Sequence, residues 1–396
     1  MNPEDICPRP DFLPTQPTQP MSPAIYPAAV YRCESPDQAD RLLARTMEGY
    51  VYSREGHPNS DQLAEKCRHL HQAEQAAVVS SGMAALSVAV MAHVKAGDRV
   101  VASRHLYGKS LVLLQGELAR WGAETVVVDT CNLDEVAQAL TPNTRLLVAE
   151  TISNPVLRVA DIAQLSALAH GVGAQLLIDN SFAGPTVCRP LELGADLVME
   201  SLTKIMNGHS DVLLGLLCGR TSAWSRVAQA VTTWGFACSP FDCWLAARGL
   251  GTLALRADKA GQNAQRVAEF LAERDDVTEV HYPGLPGHPD HQLAARQFQG
   301  GCGSMVTFTL PHGRAAATRF IEAAMQIPFS PSLGDLSTTL SHPESTSHRG
   351  MTPEQRAALG ISGGTIRLSV GVESAEAIRQ ALKTGLDACR ATDRIK

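Results

Sequence analysis

The sequence predicts an α/β protein, a largely parallel sheet covered by helices and followed by a smaller α+β domain. Three observations lead there. The short apolar runs Ala76-Ala77-Val78-Val79, Val100-Val101-Ala102, Thr125-Val126-Val127-Val128 and Leu146-Leu147-Val148-Ala149 are separated by stretches long enough for helices. That alternation is the pattern of parallel strands with helical crossovers. Gln175-Leu176-Leu177-Ile178-Asp179-Asn180 is a further apolar run, closed by an acid about one strand and one loop before Lys204. After about Gly249 the organisation changes: a long helical stretch from Ser239 to about Glu273 leads to a strand at Met305–Leu310, another helix and a strand at Thr365–Val370. The expected division is an N-terminal arm over residues 1–55, a large domain over 56–250 and a small domain over 251–396.

The first 50 residues begin rich in proline, from Pro3 to Pro27, which predicts an extended arm rather than a packed element. Ser80-Ser81-Gly82 then leads out of a strand into a helix over Met83–Val94. With 396 residues, 44% hydrophobic and 19% charged, the chain reads as a soluble globular protein of two or three domains. A net charge of -6 provides no basic field for nucleic acid or an acidic membrane, so a small-molecule partner is favoured. The ten cysteines form no CxxC pair and no zinc-like cluster along the sequence, and read as reduced thiols, with no metal expected. The start, Met1-Asn2-Pro3-Glu4-Asp5, is acidic and proline-broken, unlike a signal peptide, and no apolar run reaches membrane-spanning length. The expected compartment is the cytoplasm.

Two nucleotide motifs fail on spacing. Gly108-Lys109-Ser110 lacks a glycine at Ser103, and Gly171-Val172-Gly173 has Leu176 where a dinucleotide loop needs its third glycine. The chemistry centres instead on Glu200–Asp211, where Lys204 follows hydroxyls at Ser201 and Thr203. Such a lysine is either a solvated loop residue or the seat of a pyridoxal phosphate aldehyde, held as a Schiff base with its phosphate near the two hydroxyls. Asp179 also ends an apolar run, and ligands of open α/β sheets collect at the carboxyl ends of strands. The two residues would share a crevice, with Asp179 pairing the pyridinium nitrogen or merely capping the next segment. At the start of the Met83 helix, the amides of Gly82 and Met83 suit a phosphate, although many such turns are simple caps. Tyr107 and Asn154 stand at further strand ends, and Arg367 lies inside an otherwise apolar strand, where it needs a carboxylate or a structural ion pair.

Ser201-Leu202-Thr203-Lys204 through Gly208-His209-Ser210-Asp211 resembles the lysine motif of the Cys/Met-metabolism, or trans-sulfuration, pyridoxal phosphate enzymes, and the similarity runs from about Tyr52 to Gly371. The family includes cystathionine γ-synthase, cystathionine γ- and β-lyases, methionine γ-lyase and homoserine sulfhydrylases. The resemblance implies a fold type I transferase with a mostly parallel seven-stranded sheet and pyridoxal 5'-phosphate as cofactor. It implies Lys204 and Tyr107 as catalytic groups, with Tyr107 stacked on the ring. Gly82, Met83, Ser201 and Thr203 would hold the phosphate, and Asp179 the ring nitrogen. Asn154 would lie near the cofactor hydroxyl, and Ser332 with Arg367 would take the substrate carboxylate. Tyr52-Ser53-Arg54 matches a Tyr-x-Arg element that reaches the phosphate of a neighbouring subunit's site, so a homo-oligomer, a dimer of dimers, is implied.

Several positions depart from the family pattern. His57-Pro58-Asn59 stands where most members have Asn-Pro-Thr, Lys109 where methionine γ-lyases usually carry cysteine, and Pro331 where many cystathionine enzymes have glutamate. Ser332, and Ser239–Trp244, look more like the lyases. The expected reaction is therefore carbon–sulfur γ-elimination on cystathionine or a methionine-like substrate, giving 2-oxobutyrate, ammonia and a thiol. The alternatives are a γ-replacement enzyme acting on activated homoserine and, in another class, a pyridoxal phosphate-binding regulatory protein without turnover.

Overall fold

The computed structural model describes Thr18 and residues 20–391. The apolar runs form strands β1 (Gln75–Val79), β2 (Arg99–Ser103), β3 (Glu124–Val128), β4 (Thr144–Glu150), β5 (Gln175–Asp179), β6 (Leu197–Ser201) and β7 (Gly215–Gly219). They build a seven-stranded sheet in the order β1-β7-β6-β5-β4-β2-β3. Consecutive side chains of a strand face opposite sides. Val100, Leu146, Leu177 and Leu217 accordingly join one buried cluster, and Val101, Leu147, Ile178 and Leu216 the other. Both faces need cover, and helices supply it, as the unbroken apolar character of the runs predicts.

The sheet is parallel except at β7, which runs antiparallel to both β1 and β6. Gly215 at its start lies opposite Val79 and Ser201, and a Cβ there would fall 2.0 Å from the Ser81 carbonyl oxygen. Only glycine lets the loop into the helix Gly82–His93 press down on this strand.

The second sheet is antiparallel and four-stranded, β10-β11-β9-β8 in space, from β8 (Glu279–His281), β9 (Met305–Thr309), β10 (Thr339–Ser341) and β11 (Thr365–Ser369). Its separate core holds Phe308, Phe320, Ile366 and Leu368, with the two phenylalanine rings edge to face at 5.4 Å. The helices Gly313–Ala323 and Ala375–Ala391 pack on it.

Two local expectations need correction. The stretch from Ser239 to Glu273 is not one helix but two, Pro240–Leu250 and Leu253–Ala272. Arg256 in the second reaches back, donating from Nη2 to the Gly249 carbonyl and from Nε to Thr252 Oγ1, both at 3.0 Å, and so stabilises the break. The arm is not wholly extended either: residues 36–43 form a helix, with Ser35 as its cap and Pro36 at its first position. The prolines before residue 18 lie outside the described residues. Where the chain is described it is tethered, because Asn59 accepts from the Tyr26 amide (2.9 Å) and donates to the Ala24 carbonyl (2.8 Å), while Trp244 donates to Pro23 O (2.9 Å).

Candidate functional site

A cavity of about 260 Å³ opens at the carboxyl ends of β1, β4, β5 and β6 and is closed from above by the segments around Pro331 and β11. Gly82, Met83, Tyr107, Asn154, Asp179, Ser201, Thr203, Lys204 and Arg367 all line it, and Ser332 bonds Lys204 beside it. A larger depression of about 590 Å³ beside the helix Pro36–Leu43 holds no comparable set of reactive groups. Tyr52 and Arg54 are elsewhere: Tyr52 is exposed, and the Arg54 guanidinium sits 5.1 Å over its ring and 3.6 Å from Glu55. Within one chain they do not reach Lys204.

At one end of the cavity the helix Gly82–His93 begins. Ser81 Oγ accepts from the Ala84 amide (3.1 Å), so the cap leaves the Gly82 and Met83 amides for a ligand at the positive end of the dipole. Thr203 is differently employed from the expectation. Its hydroxyl donates to Leu214 O (3.3 Å) and accepts from Leu214 N (3.1 Å), tying the lysine loop to the chain entering β7.

Lys204 Nζ donates to Ser332 Oγ at 2.9 Å, joining the two domains across the crevice. Burial lowers the ammonium's pKa, and the positive charge of Arg367 lowers it further. Asp179 Oδ1 accepts from the Ser181 amide at 3.0 Å, and the Ser181 hydroxyl accepts from the Ser201 amide at 2.8 Å. Burial pushes the Asp179 carboxyl up to about 6 against the hydrogen bonding it receives from Ser181, and Glu200 adds a like charge. Register places Glu150 directly across from Asp179. Glu150 accepts from the Tyr107 amide (2.7 Å) and the Asn154 amide (3.2 Å), and is held well above the usual carboxylate range by burial and then by Asp179.

The other end is cationic. Arg367 is 4% exposed, donates from Nη1 to Asn154 Oδ1 (2.8 Å) and from Nη2 to Ser332 O (3.1 Å), and lies 5.5 Å over the Phe182 ring. Its buried Nε has no hydrogen-bond partner among the described residues. Asn154 lines the cavity, and its side-chain oxygen orients the arginine. Burial brings Arg367 down to about 10, with Glu150 opposing.

Sequence reasoning missed Ser181, Phe182 and Arg256. The first two follow Asp179 directly, so their nearness to that strand end was the available signal. Arg256 had none: it lies in a helix far along the chain, yet donates to the carbonyls of Ile205 (2.8 Å) and Met206 (3.0 Å) just after the lysine. Gly208, at φ +76°, must remain bare there, since a Cβ would sit 1.9 Å from Arg256 Nη1.

A phosphorylated pyridine aldehyde fits this donor set. Helix amides are free for an anion, the Asp179 carboxylate has no basic group among the causes acting on it from the described residues, and the Arg367 Nε unpaired among those residues is free for a carboxylate. Fold and site define an α/β enzyme built around that kind of cofactor. The chain belongs to the Cys/Met metabolism PLP-dependent enzyme family, whose pattern spans residues 11–387. It is 40% identical to an L-methionine gamma-lyase of Porphyromonas gingivalis, with 92% of each chain covered. It is 37% identical to an O-succinylhomoserine sulfhydrylase of Pseudomonas aeruginosa, covering 92% of this chain and 90% of that one. Among solved structures it resembles cystathionine gamma synthase from Xanthomonas oryzae pv. oryzae, in complex with aminoacrylate and cysteine (TM-score 0.89, 35% identity, 94% of each chain).

The position of Asp179 carries a pH dependence. Its folded pKa, about 6, lies above the ordinary 3.8, so in cofactor-free protein its contribution to stability is complete below about pH 4 and is lost as pH rises through 6. Two pH units correspond to at most about 3 kcal/mol. A cation bound against the carboxylate, such as the pyridinium expected of the cofactor, would relieve that cost. The rise in Tm on adding pyridoxal phosphate should therefore be larger at pH 8 than at pH 5, and Asp179→Asn should flatten the difference. Equal pH dependence in the variant would assign it to another group.

Proposed function

We propose that this chain catalyses γ-elimination on a sulfur amino acid with an apolar, methionine-like thioether, releasing 2-oxobutyrate, ammonia and a thiol. The observation that supports this choice is the apolar part of the lining: Pro331, Leu333, Leu213 and Ile152 line the cavity, with no acid at Pro331 to meet a distal ammonium. Cystathionine, with a charged group at the far end of its side chain, suits that wall less well than methionine.

In this reading the amides of Gly82 and Met83, with the Ser201 hydroxyl, hold the cofactor phosphate, Thr203 lines that end of the cavity with its hydroxyl kept on Leu214, Tyr107 covers the ring and Asp179 faces its nitrogen. Arg367, oriented by Asn154, takes the substrate carboxylate through its free Nε, with Ser332 beside it. Bound pyridoxal phosphate supplies the electrophilic aldehyde and a ring that accepts the electron pair left at Cα. Lys204 removes the Cα proton and carries protons onward, a role suited to an amine whose pKa burial has lowered. Tyr107 assists proton transfer at the leaving sulfur. Tyr52 and Arg54 complete the site of a second copy, Arg54 by forking onto phosphate oxygens, so the working unit is at least a dimer and two dimers form a tetramer. The enzyme would work in the cytoplasm; no helix among the described residues is long and apolar enough to cross a membrane.

A second reading, γ-replacement of an activated homoserine by a thiol, is favoured by Lys109, which stands where methionine γ-lyases usually carry cysteine. Product analysis separates the two. Pure cofactor-loaded protein is given L-methionine or L-cystathionine alone, then O-activated homoserines with and without a thiol. Release of 2-oxobutyrate from methionine with no added nucleophile is the expected result. A new thioether formed only when activated homoserine and thiol are both present would establish the replacement reaction instead.

A further inference from the structure

We infer that Cys238 and Cys243, with His57, form a peroxide-reactive dithiol outside the cofactor cavity. The sequence hides this site, because the cysteines lack CxxC spacing and His57 is far away in the chain. The fold gathers them. Ser239 caps the helix Pro240–Leu250 through Asp242 N, which puts Cys238 just before the helix and Cys243 in its first turn. Their sulfurs are 3.4 Å apart, with the Cys243 thiol donating to Cys238 Sγ. His57 enters from the start of another helix, its Nε2 3.8 Å from Cys238 Sγ and 3.1 Å from Cys238 O.

The tautomer of His57 determines what this cluster can do. Nδ1 accepts from the Ser60 amide at 3.1 Å and so caps the helix Pro58–Leu70; the proton of the neutral ring therefore belongs on Nε2. The Cys243 S–H aims at the Cys238 sulfur, and Nε2–H, shared with Cys238 O at 3.1 Å, lies 3.8 Å from the same sulfur, so both donors favour a thiolate on Cys238. A metal ion on the same three atoms would need the lone pair of Nε2, forcing the proton onto Nδ1 and against the Ser60 N–H. The hydrogen bond from Cys243, opposed by burial and aided by His57, holds the Cys238 thiol below its usual range, while that same bond and burial push Cys243 up. Against the thiolate stands the Val78 carbonyl, 3.8 Å away, to which a protonated Cys238 donates. The acids Asp61 and Asp242 act on the partners His57 and Cys243. The two thiols thus differ as nucleophile and resolving group do.

Cys238 also has access. It lines a cavity of about 230 Å³ with His57, Arg54 and Ser53, ample for a small hydroperoxide, whereas Cys243 is fully buried. In the first step the Cys238 thiolate attacks one peroxide oxygen and the O–O bond breaks. The departing hydroxide or alkoxide takes a proton, leaving Cys238 as the sulfenic acid. Cys243 then gives up its proton, its sulfur attacks that of Cys238, and the S–O bond breaks to release water. Two thiols and one hydroperoxide yield one disulfide, one alcohol or water, and one further water, with the thiols supplying two electrons. The sulfurs need only close from 3.4 Å to about 2.0 Å.

The test treats the reduced, cofactor-loaded full chain with less than one equivalent of hydrogen peroxide and maps its peptides by mass spectrometry. The expected result is a Cys238–Cys243 cross-link, formed before any other thiol is oxidised and reversed by a reductant. Cys243→Ser should stop at a sulfenic acid trapped by a dione on Cys238. His57→Asn, which keeps a capping side chain but loses Nε2, should slow the first step about tenfold. Faster oxidation at Cys33, Cys131 or Cys302 in the unmutated protein would overturn the assignment, and this arm needs no variant to fold. A stoichiometric metal ion in the purified protein, lost on Cys238→Ser, would make the cluster a metal site and overturn it equally.

Discussion

Replacing Lys204 with alanine is expected to abolish covalent attachment of the cofactor and to lower turnover by roughly a thousandfold or more, the scale of a lost nucleophile and general base combined. The side chain lies in the cavity, and its ammonium makes its hydrogen bond to Ser332 across the two domains. Alanine removes that bond but fits the same backbone, whose Lys204 amide still donates to Ser201 O at 3.0 Å. The variant should therefore fold, bind pyridoxal phosphate weakly through the phosphate contacts, and show the absorbance of free aldehyde. Retained covalent linkage would refute the assignment of Lys204. The same variant tests the shared site. Mixed and reassembled with Arg54→Ala, it should regain activity on the order of a quarter of the wild-type sites, because half of the random dimers carry one intact site in two. Failure to recover activity from two well-folded partners would argue that Arg54 serves its own chain alone.

Arg367→Ala should raise the KM for the amino acid about a hundredfold while lowering kcat much less. The guanidinium is buried, donates to Asn154 and Ser332, and is the positive charge acting on Glu150. Its removal costs the substrate a charged contact through Nε and leaves those partners unsatisfied, an effect of roughly 3 kcal/mol. Arg367→Lys should recover little, since an ammonium keeps the charge without the planar fork that reaches both partners and the ligand. The measurement is a split of KM from kcat with the cofactor spectrum unchanged. A variant in which kcat collapses and KM stays constant would place Arg367 in the chemistry rather than in carboxylate binding.

The sequence by itself determined whatever depends on neighbours along the chain. Continuous apolar runs specify doubly covered strands, so the parallel sheet was readable before any coordinate. The acid ending β5 and the lysine loop following β6 were readable too, because strand carboxyl ends face a common crevice. The short strands β8 and β10 were not: each is three residues long, which carries too little periodicity to distinguish from loop.

Tertiary structure alone decided which atoms are left free for chemistry. A hydroxyl such as Thr203 has the same chemistry in any loop, and only the approach of Leu214 commits it to the backbone. Asn154 and Arg367 meet across the two domains, as do Lys204 and Ser332. The clustering of His57, Cys238 and Cys243 and the grip of Arg256 on the lysine loop also join segments distant in sequence. Residue type sets what a side chain can donate or accept. Which of those capacities remains unspent is settled by long-range packing, because most buried polar groups take a partner inside the protein and the fold chooses which do not.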